Sequence, residues 1–594
     1  MMLASHSEHL QTGAFRRLVF LYMLQALVFS VTGMIDCAFV GRYIGAAGLA
    51  GMKLAMPVFA VLYLLFGSIL STGLSVRVSG LIAEGKRSLA NQSLLWVCAV
   101  SAGISILLLL AALLMPDFLT RIFAGRVHDQ AVYAHTKAYL IPILIGSLPV
   151  ILHSILSAVA ALEGANRRMT VSVAVVLVVD LAGDLVAVKL DSGLWGIAIA
   201  SIAAYLGACV VLAGHFLTDK TVFRPERLRF EKGLLRGVVI AGLPMAVKGV
   251  CEFLCPMAVN RLMLRYGSVN GLAALSIQDA AHYLPLAFCE GLAAAVLLLT
   301  GMLAAEQDGE ALRNERRTAV RYAIVQGTVW TLLLFAAAPL LLWLFTNNTA
   351  LRELSLSAFR WFLVGVPFAS LNYVERAYLQ GMGRERAASL FTLVNQLFLP
   401  VLFAWVLGSI WGIKGIFAAF AIHEILLAVC FFLFRHLYKG SVEEEGWSPV
   451  RAELRRELVS VDQVVDASEA VLDLCAGQGV DRKTAYHIAL CLEELGTNTI
   501  RHGFNSRKSG TGRLDCRFLL TDRDLILRMR DNGRPFDLTE RWQLLNPEEP
   551  TSHLGLRMIF AAAEHVNYSR SFDLNNVCIR VSKTGGKSYE RKHR

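Results

Sequence analysis

Three carboxylates in the first half of this 594-residue chain lie inside long apolar segments, where an ionisable side chain is costly. They are Asp36, Asp180 and Asp184, and the last two are four residues apart, which places them on one face of a helix. Two carboxylates close together in apolar surroundings do not both keep their charge easily. Such a group binds a proton or a cation on one side of a membrane and releases it on the other. These residues therefore predict an ion-coupling site.

A second set of residues, in the last quarter of the chain, has the types and spacing of a nucleotide site. Glu494 and Asn498 are one helical turn apart, so the carboxylate can polarise an attacking hydroxyl while the amide oxygen binds Mg²⁺. Asp531 follows a strand pattern and can accept the adenine amino hydrogen, and Gly533 lets the base approach. Gly555 opens a predicted helix, whose free N–H groups can hold phosphate. Together they predict that ATP and Mg²⁺ bind this region.

The elements that carry the first set are membrane helices. Hydrophobic residues make up 55% of the chain and charged residues 17%, and the mean hydropathy is +0.53. A soluble chain could not bury so much apolar surface, so most of it must face lipid. A membrane span needs about 20 apolar residues. Twelve segments qualify, centred near residues 28, 63, 103, 143, 180, 205, 248, 288, 333, 367, 399 and 424.

Basic residues predict the orientation of these spans. If the N-terminus is inside, the loops on that side carry most of the clustered Lys and Arg, including 86–87, 167–168, 313–321 and 384–386. Cytoplasmic loops are enriched in these residues, so both termini and the C-terminal domain are predicted to be cytoplasmic. The net charge of +11 is explained by loops beside anionic lipid, and no nucleic-acid partner is expected.

The two halves of the membrane region resemble each other. Residues 163–167 and 194–197 have counterparts at 380–384 and 410–413, about 220 residues later. Two six-helix repeats predict two lobes around a central cavity that opens alternately to each side. The predicted lobes are residues 12–220 and 230–438, called here the N-lobe and the C-lobe.

Specific motifs strengthen this interpretation. Residues 36–41 followed by Gly48-Leu49-Ala50, the Gly-x-Gly-Arg loop at 381–384, and Asp184 followed by residues 196–200 resemble the multidrug and toxic compound extrusion (MATE) family. The resemblance covers roughly residues 12 to 438. It implies a twelve-helix antiporter that expels small organic compounds, usually cationic, in exchange for H⁺ or Na⁺.

The resemblance also assigns roles to single residues. Asp36 and Asp184 fall on acidic positions of the family's N-lobe cation site. Asp180 falls where the family more often has Asn, and Ser201 where Thr is common, so the coupling ion, H⁺ or Na⁺, stays open. Glu252 matches a position where one branch of the family has a functional Glu. Alternatively, Glu252 forms a structural ion pair with Lys248, four residues earlier.

After an acidic linker at 439–450, residues 451–594 are predicted to form a soluble α+β sandwich with helices on one face of a mixed sheet. Periodicity predicts three helices and four strands in this domain. The predicted helices are 467–478, 482–504 and 553–564, and the predicted strands are 458–464, 513–520, 525–530 and 577–581.

The chemical residues of this domain resemble the Bergerat-fold (GHKL) ATPases, and most closely their anti-sigma-factor serine kinase branch. Residues 494–503 resemble the N box of that family, 531–537 its next box, and 554–556 its last box, although His553 stands where the last box usually begins with Gly. The resemblance implies ATP and Mg²⁺ as cofactors, with Glu494 as the base. Glu493 is a rival for that role, but the spacing to Asn498 favours Glu494.

Three functions compete. The leading hypothesis is a multi-pass antiporter of a bacterial plasma membrane, with an ATP-binding regulatory domain. The second is a signalling protein whose membrane part senses a ligand and whose soluble domain phosphorylates a Ser or Thr of a partner protein. The third is a lipid-linked sugar flippase, for which a more cationic central cavity is expected.

Overall fold

The chain divides into two compact units, with the boundary between Lys439 and Gly440. The computed structural model describes residues 19, 23, 33–83, 86–125, 127–163, 165–217, 221, 223, 229, 233–305, 309–437, 450–504, 512–544, 554–571 and 574–583. Of the predicted linker, 439–450, only Val450 is among these residues.

The first unit is helical throughout its described secondary structure. Its N-lobe elements are Val40–Ile44, Ala46–Ala55, Pro57–Phe59, Ala60–Gly67, Ser68–Ala83, Arg87–Leu114, Pro116–Ala124, Gln130–Ile145, Ser147–Leu162, Asn166–Lys189, Gly193–Ala213 and Gly214–Leu217. Its C-lobe elements are Leu234–Tyr266, Val269–Ala305, Gly309–Trp343, Thr349–Gly381, Glu385–Leu393, Val394–Phe398, Leu399–Trp411 and Ile413–Leu437.

Within the described residues, nine helices are long and apolar enough to cross a membrane, and two bent pairs raise the number to eleven if each pair is one span. In chain order they are numbered here as spans 2 to 12: Ala46–Val78, Ser88–Leu114, Gln130–Ile145 with Ser147–Leu162, Arg167–Lys189, Gly193–Phe216, Leu234–Leu243 with Met245–Tyr266, Val269–Gly301, Leu312–Trp343, Thr349–Gly381, Glu385–Trp411 and Ile413–Arg435. All eleven coincide with predicted centres. The first predicted centre, near residue 28, lies largely outside the described residues.

The bends in spans 4 and 7 coincide with residues that weaken a helix. Span 4 turns by 53° at Gly146, three residues before Pro149. Span 7 turns by 61° between Leu243 and Met245, at Pro244. Proline removes a backbone hydrogen bond and its ring crowds the preceding turn, so a helix bends there.

The two lobes approach each other closely where spans 2 and 7 cross. A Cβ atom on Gly73 of span 2 would collide with the carbonyl oxygen of Val238, and one on Gly242 of span 7 would collide with that of Ile69. Because neither glycine has a side chain, the two backbones come into direct contact. Small residues at helix crossings allow such packing inside a membrane.

The second unit is an antiparallel sheet with helices on one face. Its strands are β1 (Val450–Leu458), β2 (Leu514–Thr521), β3 (Asp524–Asp531), β4 (His565–Ser571) and β5 (Leu574–Ser582), in the order β1-β2-β3-β5-β4. Its α-helices are α1 (Val461–Gly477), α2 (Arg482–Asn498), α3 (Leu538–Leu544) and α4 (Leu554–Ala562). A π-helical turn, Thr499–Gly503, extends α2.

The α+β class is confirmed, but four details of the prediction are wrong. Helix α3 (Leu538–Leu544) was not predicted. The described sheet is wholly antiparallel rather than mixed. The first strand is Val450–Leu458 instead of 458–464, because the Ser460 side chain accepts a hydrogen bond from the Gln463 N–H at 3.3 Å and starts α1. Strand β4 was not predicted, since only Val566 and Tyr568 alternate as in a strand and the other residues of its sequence, His-Val-Asn-Tyr-Ser-Arg-Ser, are polar.

Alternation along the strands separates the two faces of the sheet. Cys516, Phe518 and Leu520 of β2 point into the core formed with α1, α2 and α4. On the other face, Asp515 lies opposite Arg530 of β3 in the strand register. Burial raises the pKa of Asp515, although neighbouring arginines oppose this shift.

Candidate functional sites

The structure brings the three N-lobe carboxylates together. Asp180 and Asp184 lie on span 5, and Asp36 lies in the helical segment 33–39 that precedes span 2. One carboxylate oxygen from each residue lies within 4.8 Å of the other two. Asp184 is 0% exposed and Asp180 is 3% exposed, while Asp36 is partly buried. Three carboxyl groups therefore meet inside apolar surroundings.

Close packing of spans 5 and 6 positions this cluster. A Cβ atom on Gly183, between the two aspartates, would lie 2.5 Å from the Ala200 Cβ on span 6. The next residue on span 6 is Ser201, which is buried and donates its hydroxyl to the Ile197 carbonyl at 3.4 Å. The predicted site residue Ser201 thus lies next to the point where span 6 packs against the span 5 carboxylates.

The cluster has unused hydrogen-bonding capacity within the part of the chain that the structure describes. Asp36 Oδ1, Asp180 Oδ1 and both oxygens of Asp184 are buried and have no hydrogen-bond partner there. Both ring nitrogens of His153, on span 4, are also buried and have no hydrogen-bond partner among the described residues. The centre of this ring lies 5.5 Å from that of the Tyr205 ring. Buried oxygens without partners suit a proton or a small cation.

Glu252 lies apart from this cluster, in the C-lobe. The Lys248 ammonium lies 3.6 Å from the Glu252 carboxylate and 3.9 Å from that of Glu290 on span 8. All three side chains are substantially exposed, at 37% to 49%. The ion pair with Lys248 that the spacing predicted is present, with Glu290 as a further partner.

An ion pair between the lobes was not predicted from the sequence. The Lys53 ammonium of span 2 binds the Asp279 carboxylate of span 8, and His282 Nδ1 lies 3.6 Å from the other oxygen of that carboxylate. Lys53 is only 6% exposed. A lysine inside an apolar segment is a signal that could have drawn attention to it, but its partner is 226 positions away.

In the soluble unit, the turn after β3 holds the predicted adenine-binding carboxylate. Asp531 is buried, and its Oδ1 accepts hydrogen bonds from the Gly533 N–H at 2.7 Å and from Asn575 Nδ2 at 2.8 Å. Asn575 lies opposite Asp531 in the register of β3 and β5, and its own Oδ1 accepts from the Tyr568 hydroxyl at 2.9 Å. Asn575 was not predicted, because only strand pairing brings it to this turn.

This turn is tied to the helix that carries the other site residues. The Arg534 N–H donates to the Gly503 carbonyl at 3.0 Å, and Gly503 ends the π-helical turn after α2. Gly533 packs against the same carbonyl, with a distance of 3.0 Å from the position of a Cβ atom to that oxygen. Gly533 therefore allows two backbone segments to approach closely, in addition to its predicted role of letting the adenine ring approach.

Glu494 and Asn498 are adjacent on α2. Asn498 Nδ2 donates to Glu494 Oε1 at 2.9 Å, so the Asn498 Oδ1, the atom suited to Mg²⁺, points away from that carboxylate. Glu494 is half-buried and Asn498 is exposed. Gly555, near the start of α4, lies so close to Glu494 that a Cβ atom would collide with the carboxylate. His553 lies outside the described residues.

These groups fit a nucleotide and a metal ion. The three segments that the sequence assigned to the site converge, and a glycine lies where the helix that would hold phosphate meets the acidic residue. An exposed amide oxygen is a hard ligand of the type that Mg²⁺ prefers. Among the described residues α4 begins at Leu554, and the N–H groups of the first turn of a helix can hold phosphate.

Comparison with known proteins agrees with both units. The MatE family model matches residues 22–186 and 244–406, and the model of the histidine kinase-like ATPase domain matches residues 458–582. The chain is 20% identical over 426 residues to the multidrug export protein MepA of Staphylococcus aureus, an alignment covering 70% of this chain and 92% of that protein.

Two solved structures are similar to the membrane unit, and both are multidrug resistance MATE family transporters of the MOP superfamily. One, in an inward-facing conformation, has a TM-score of 0.61 and 19% identity, over 69% of this chain and 94% of that one. The other, in an outward-facing conformation, has a TM-score of 0.56 and 19% identity, over 71% of this chain and 95% of that one.

Proposed function

The chain belongs to the MatE family, and we propose that it is a proton-coupled antiporter that exports organic cations under the control of an ATP-binding domain. It is a multi-pass membrane protein of the multidrug-transporter type with a C-terminal histidine kinase-like ATPase domain. The observation that carries the proposal is the three-carboxylate cluster of the N-lobe, whose oxygens lie within 4.8 Å of one another.

Electrostatics favours the proton as the coupling ion. Three carboxylates at this separation and burial do not all ionise together, since like charges at short range oppose one another. One Na⁺ would neutralise only one of the three charges, whereas protons can neutralise each carboxylate in turn. Asp36, Asp180 and Asp184 would therefore take up protons from one side of the membrane and release them to the other.

The charges that line the lobes favour a cationic substrate. Around the Lys53–Asp279 pair and on the neighbouring C-lobe surface, Asp279, Glu252 and Glu290 supply three carboxylates against the two ammonium groups of Lys53 and Lys248. Two arginines, Arg42 and Arg261, also cross the lobe contact, where they bind backbone carbonyls. A cavity with an excess of carboxylates attracts cations. A flippase for anionic lipid-linked sugars would need the opposite balance.

Dye efflux from proteoliposomes tests the transport proposal. Ethidium, a fluorescent organic cation, is loaded inside, and a pH gradient or a Na⁺ gradient is imposed separately. The purified chain should export ethidium with the pH gradient alone, and Asp184→Asn should abolish export. Asp117→Asn, the same exchange at an exposed site outside the spans, should leave export unchanged. Efflux driven only by the Na⁺ gradient would make Na⁺ the coupling ion instead of the proton. If neither gradient drives efflux, antiport is refuted.

We propose that the soluble unit binds ATP with Mg²⁺ on the cytoplasmic side. Asp531 would receive the adenine amino group, Asn498 would bind the metal ion, and the start of α4 at Gly555 would hold phosphate. Bound ATP would supply a transferable phosphoryl group. The basic loops between the spans support a cytoplasmic position for this unit and both termini, in a bacterial plasma membrane.

A second candidate function is phosphoryl transfer to a Ser or Thr hydroxyl of a partner protein. The contact between Glu494 and Asn498 favours it, because it places a potential base beside a potential metal ligand. In the transporter reading, ATP acts as a signal, since a single ATPase-like domain does not resemble a transport motor.

Mg-ATP separates the two candidates. If the domain regulates transport, Mg-ATP should change the rate of ethidium efflux in the parent chain and leave Asp531→Asn unaffected. If the domain is a kinase, labelled phosphate should appear on a co-purified protein and be lost in Glu494→Gln while ATP still binds. If Mg-ATP does not change the rate of efflux and no phosphoryl transfer is detected, both roles are refuted.

A further inference from the structure

The ion pair between Lys53 and Asp279 joins two parts of the molecule that alternating access requires to separate. Lys53 belongs to span 2 of the N-lobe and Asp279 to span 8 of the C-lobe. The Lys53 backbone is also held across the lobes, because Asn260 of span 7 donates its amide to the Lys53 carbonyl at 3.1 Å. The pair is thus part of the contact between lobes, and not of either lobe alone.

The same face of span 8 touches the residue next to the N-lobe carboxylate cluster. Ser276 and Asp279 are three residues apart and share a helix face. The Cys37 thiol, which follows Asp36 in the chain, lies 3.7 Å from the Ser276 carbonyl oxygen and is 1% exposed. Asp36 therefore lies one residue away from the contact that the ion pair stabilises.

Separating the lobes would leave the Asp279 carboxylate without its cation. A buried charge that loses its partner is strongly destabilising, more so than if both partners were absent. His282 lies 3.6 Å from this carboxylate, and the same lobe carries Glu252 and Glu290, two carboxylates that share one ammonium group, that of Lys248. The vacated carboxylate is therefore a place where an incoming cation is stabilised.

We propose that Asp279 is a second cation site, occupied by the Lys53 ammonium while the lobes touch and by a monovalent cation from solution once they part. The occupant is a proton or the positive charge of a transported compound. A cation that binds only when Lys53 has left must favour the separated state, by linkage. The inference rests on the proposed antiport, because it assumes that the lobes alternate.

Other titratable groups surround the pair. They are the thiols of Cys37 and Cys255, the imidazoles of His282 and of His135, which packs on span 2 at Gly51, and the Lys248, Glu252 and Glu290 group. A response to pH must therefore be assigned by substitution of Asp279.

Thiol labelling of Cys37 reports the separation directly. In the full chain in nanodiscs, the other ten cysteines are replaced by alanine, and the rate of reaction with a maleimide is measured. A matched reporter keeps only Cys209, whose thiol contacts the Pro149 carbonyl at 3.3 Å inside the N-lobe. Expressing the Cys37 rate relative to the Cys209 rate removes the dependence of thiol reactivity on pH.

Three variants separate charge from packing. Lys53→Met leaves the partly buried Asp279 carboxylate without its ammonium partner, and Asp279→Asn leaves the buried Lys53 ammonium without its carboxylate. Cys37 should therefore react about tenfold faster or more in each variant. The double variant Lys53→Met/Asp279→Leu removes both charges, so its labelling should stay close to the slow rate of the parent. Single-variant rates within twofold of the parent, or a double variant as fast as the single ones, would overturn the proposal.

Two ligands identify the occupant. Tetraphenylphosphonium, an organic cation that does not titrate, should accelerate Cys37 labelling in the parent and should have no effect in Asp279→Asn. If a proton is the occupant, acidification should accelerate Cys37 labelling in the parent but not in Asp279→Asn, and tetraphenylphosphonium should not accelerate labelling. Acceleration by either ligand that persists in Asp279→Asn counts against the site. The labelling assay uses no ion gradient. If Cys37 responds as expected but the chain exports no dye, antiport is refuted and the cation site is not.

Discussion

The hydrogen bonds around Asp531 predict how one substitution changes nucleotide preference. In Asp531→Asn, the side-chain oxygen should keep the position of Oδ1, because two donors, the Gly533 N–H and Asn575 Nδ2, point at that atom from 2.7 and 2.8 Å. The new amino group then takes the place of the other carboxylate oxygen. There it would face the adenine amino group, donor against donor.

The size of the effect follows from the lost interaction. A hydrogen bond to a charged group contributes about 1.5–3 kcal/mol, and an unsatisfied buried donor adds a penalty of similar size. A total of about 3–6 kcal/mol corresponds to an affinity for ATP that is roughly 100-fold to 20,000-fold weaker, at about 1.4 kcal/mol for each factor of ten. Guanine has a carbonyl where adenine has the amino group, so the affinity for GTP should rise relative to that for ATP.

Displacement of a fluorescent ATP analogue from the full chain measures both affinities. Asp466→Asn makes the same exchange at an exposed position of α1 and should leave them unchanged. An ATP affinity of Asp531→Asn within threefold of the parent would refute the assignment of the adenine contact. So would an unchanged ratio of the affinities for ATP and GTP.

Three further outcomes are expected. Glu494→Gln should abolish ATP turnover in a phosphate-release assay. It should change ATP affinity less than about threefold, because the glutamine amide preserves the shape of the side chain and the contact to Asn498. A turnover equal to that of the parent would exclude Glu494 as the base. Burial raises the pKa of Asp515, so the folded domain holds that proton more tightly than the unfolded chain, and stability falls as pH rises above the unfolded value of about 3.9. Asp515→Asn should therefore raise the unfolding temperature of the soluble unit at pH 7 and lose this advantage below about pH 4, as followed by scanning fluorimetry; a lower temperature at pH 7 would contradict this reasoning. Burial also raises the pKa of Cys475 to about 11 and that of Cys491 to about 12, so a maleimide at pH 8 should label them only after denaturant is added; rapid labelling of the folded chain, read by mass spectrometry, would show that these thiols are accessible.

Local patterns explain which elements could be predicted. Eleven apolar segments were placed correctly because a membrane span must be long and apolar whatever its neighbours are. The strand predicted at 458–464 was wrong because Val461 and Val464 are apolar in either conformation, and the Ser460 cap decided for a helix. Strand β4 was missed since a polar edge strand depends on its pairing with β5.

The sequence by itself determined the two-part architecture, the repeat, and the residue types of both sites. Asp180 and Asp184 share a helix face, and Glu494 and Asn498 share another, because four residues make about one turn. Only the tertiary structure decided which distant groups meet: Asp36 joins the two span 5 carboxylates, Asn575 supports Asp531 through strand register, and Lys53 finds Asp279 across the lobes. Helical and strand periods act over a few residues, whereas contacts between positions tens or hundreds of residues apart depend on how whole elements pack.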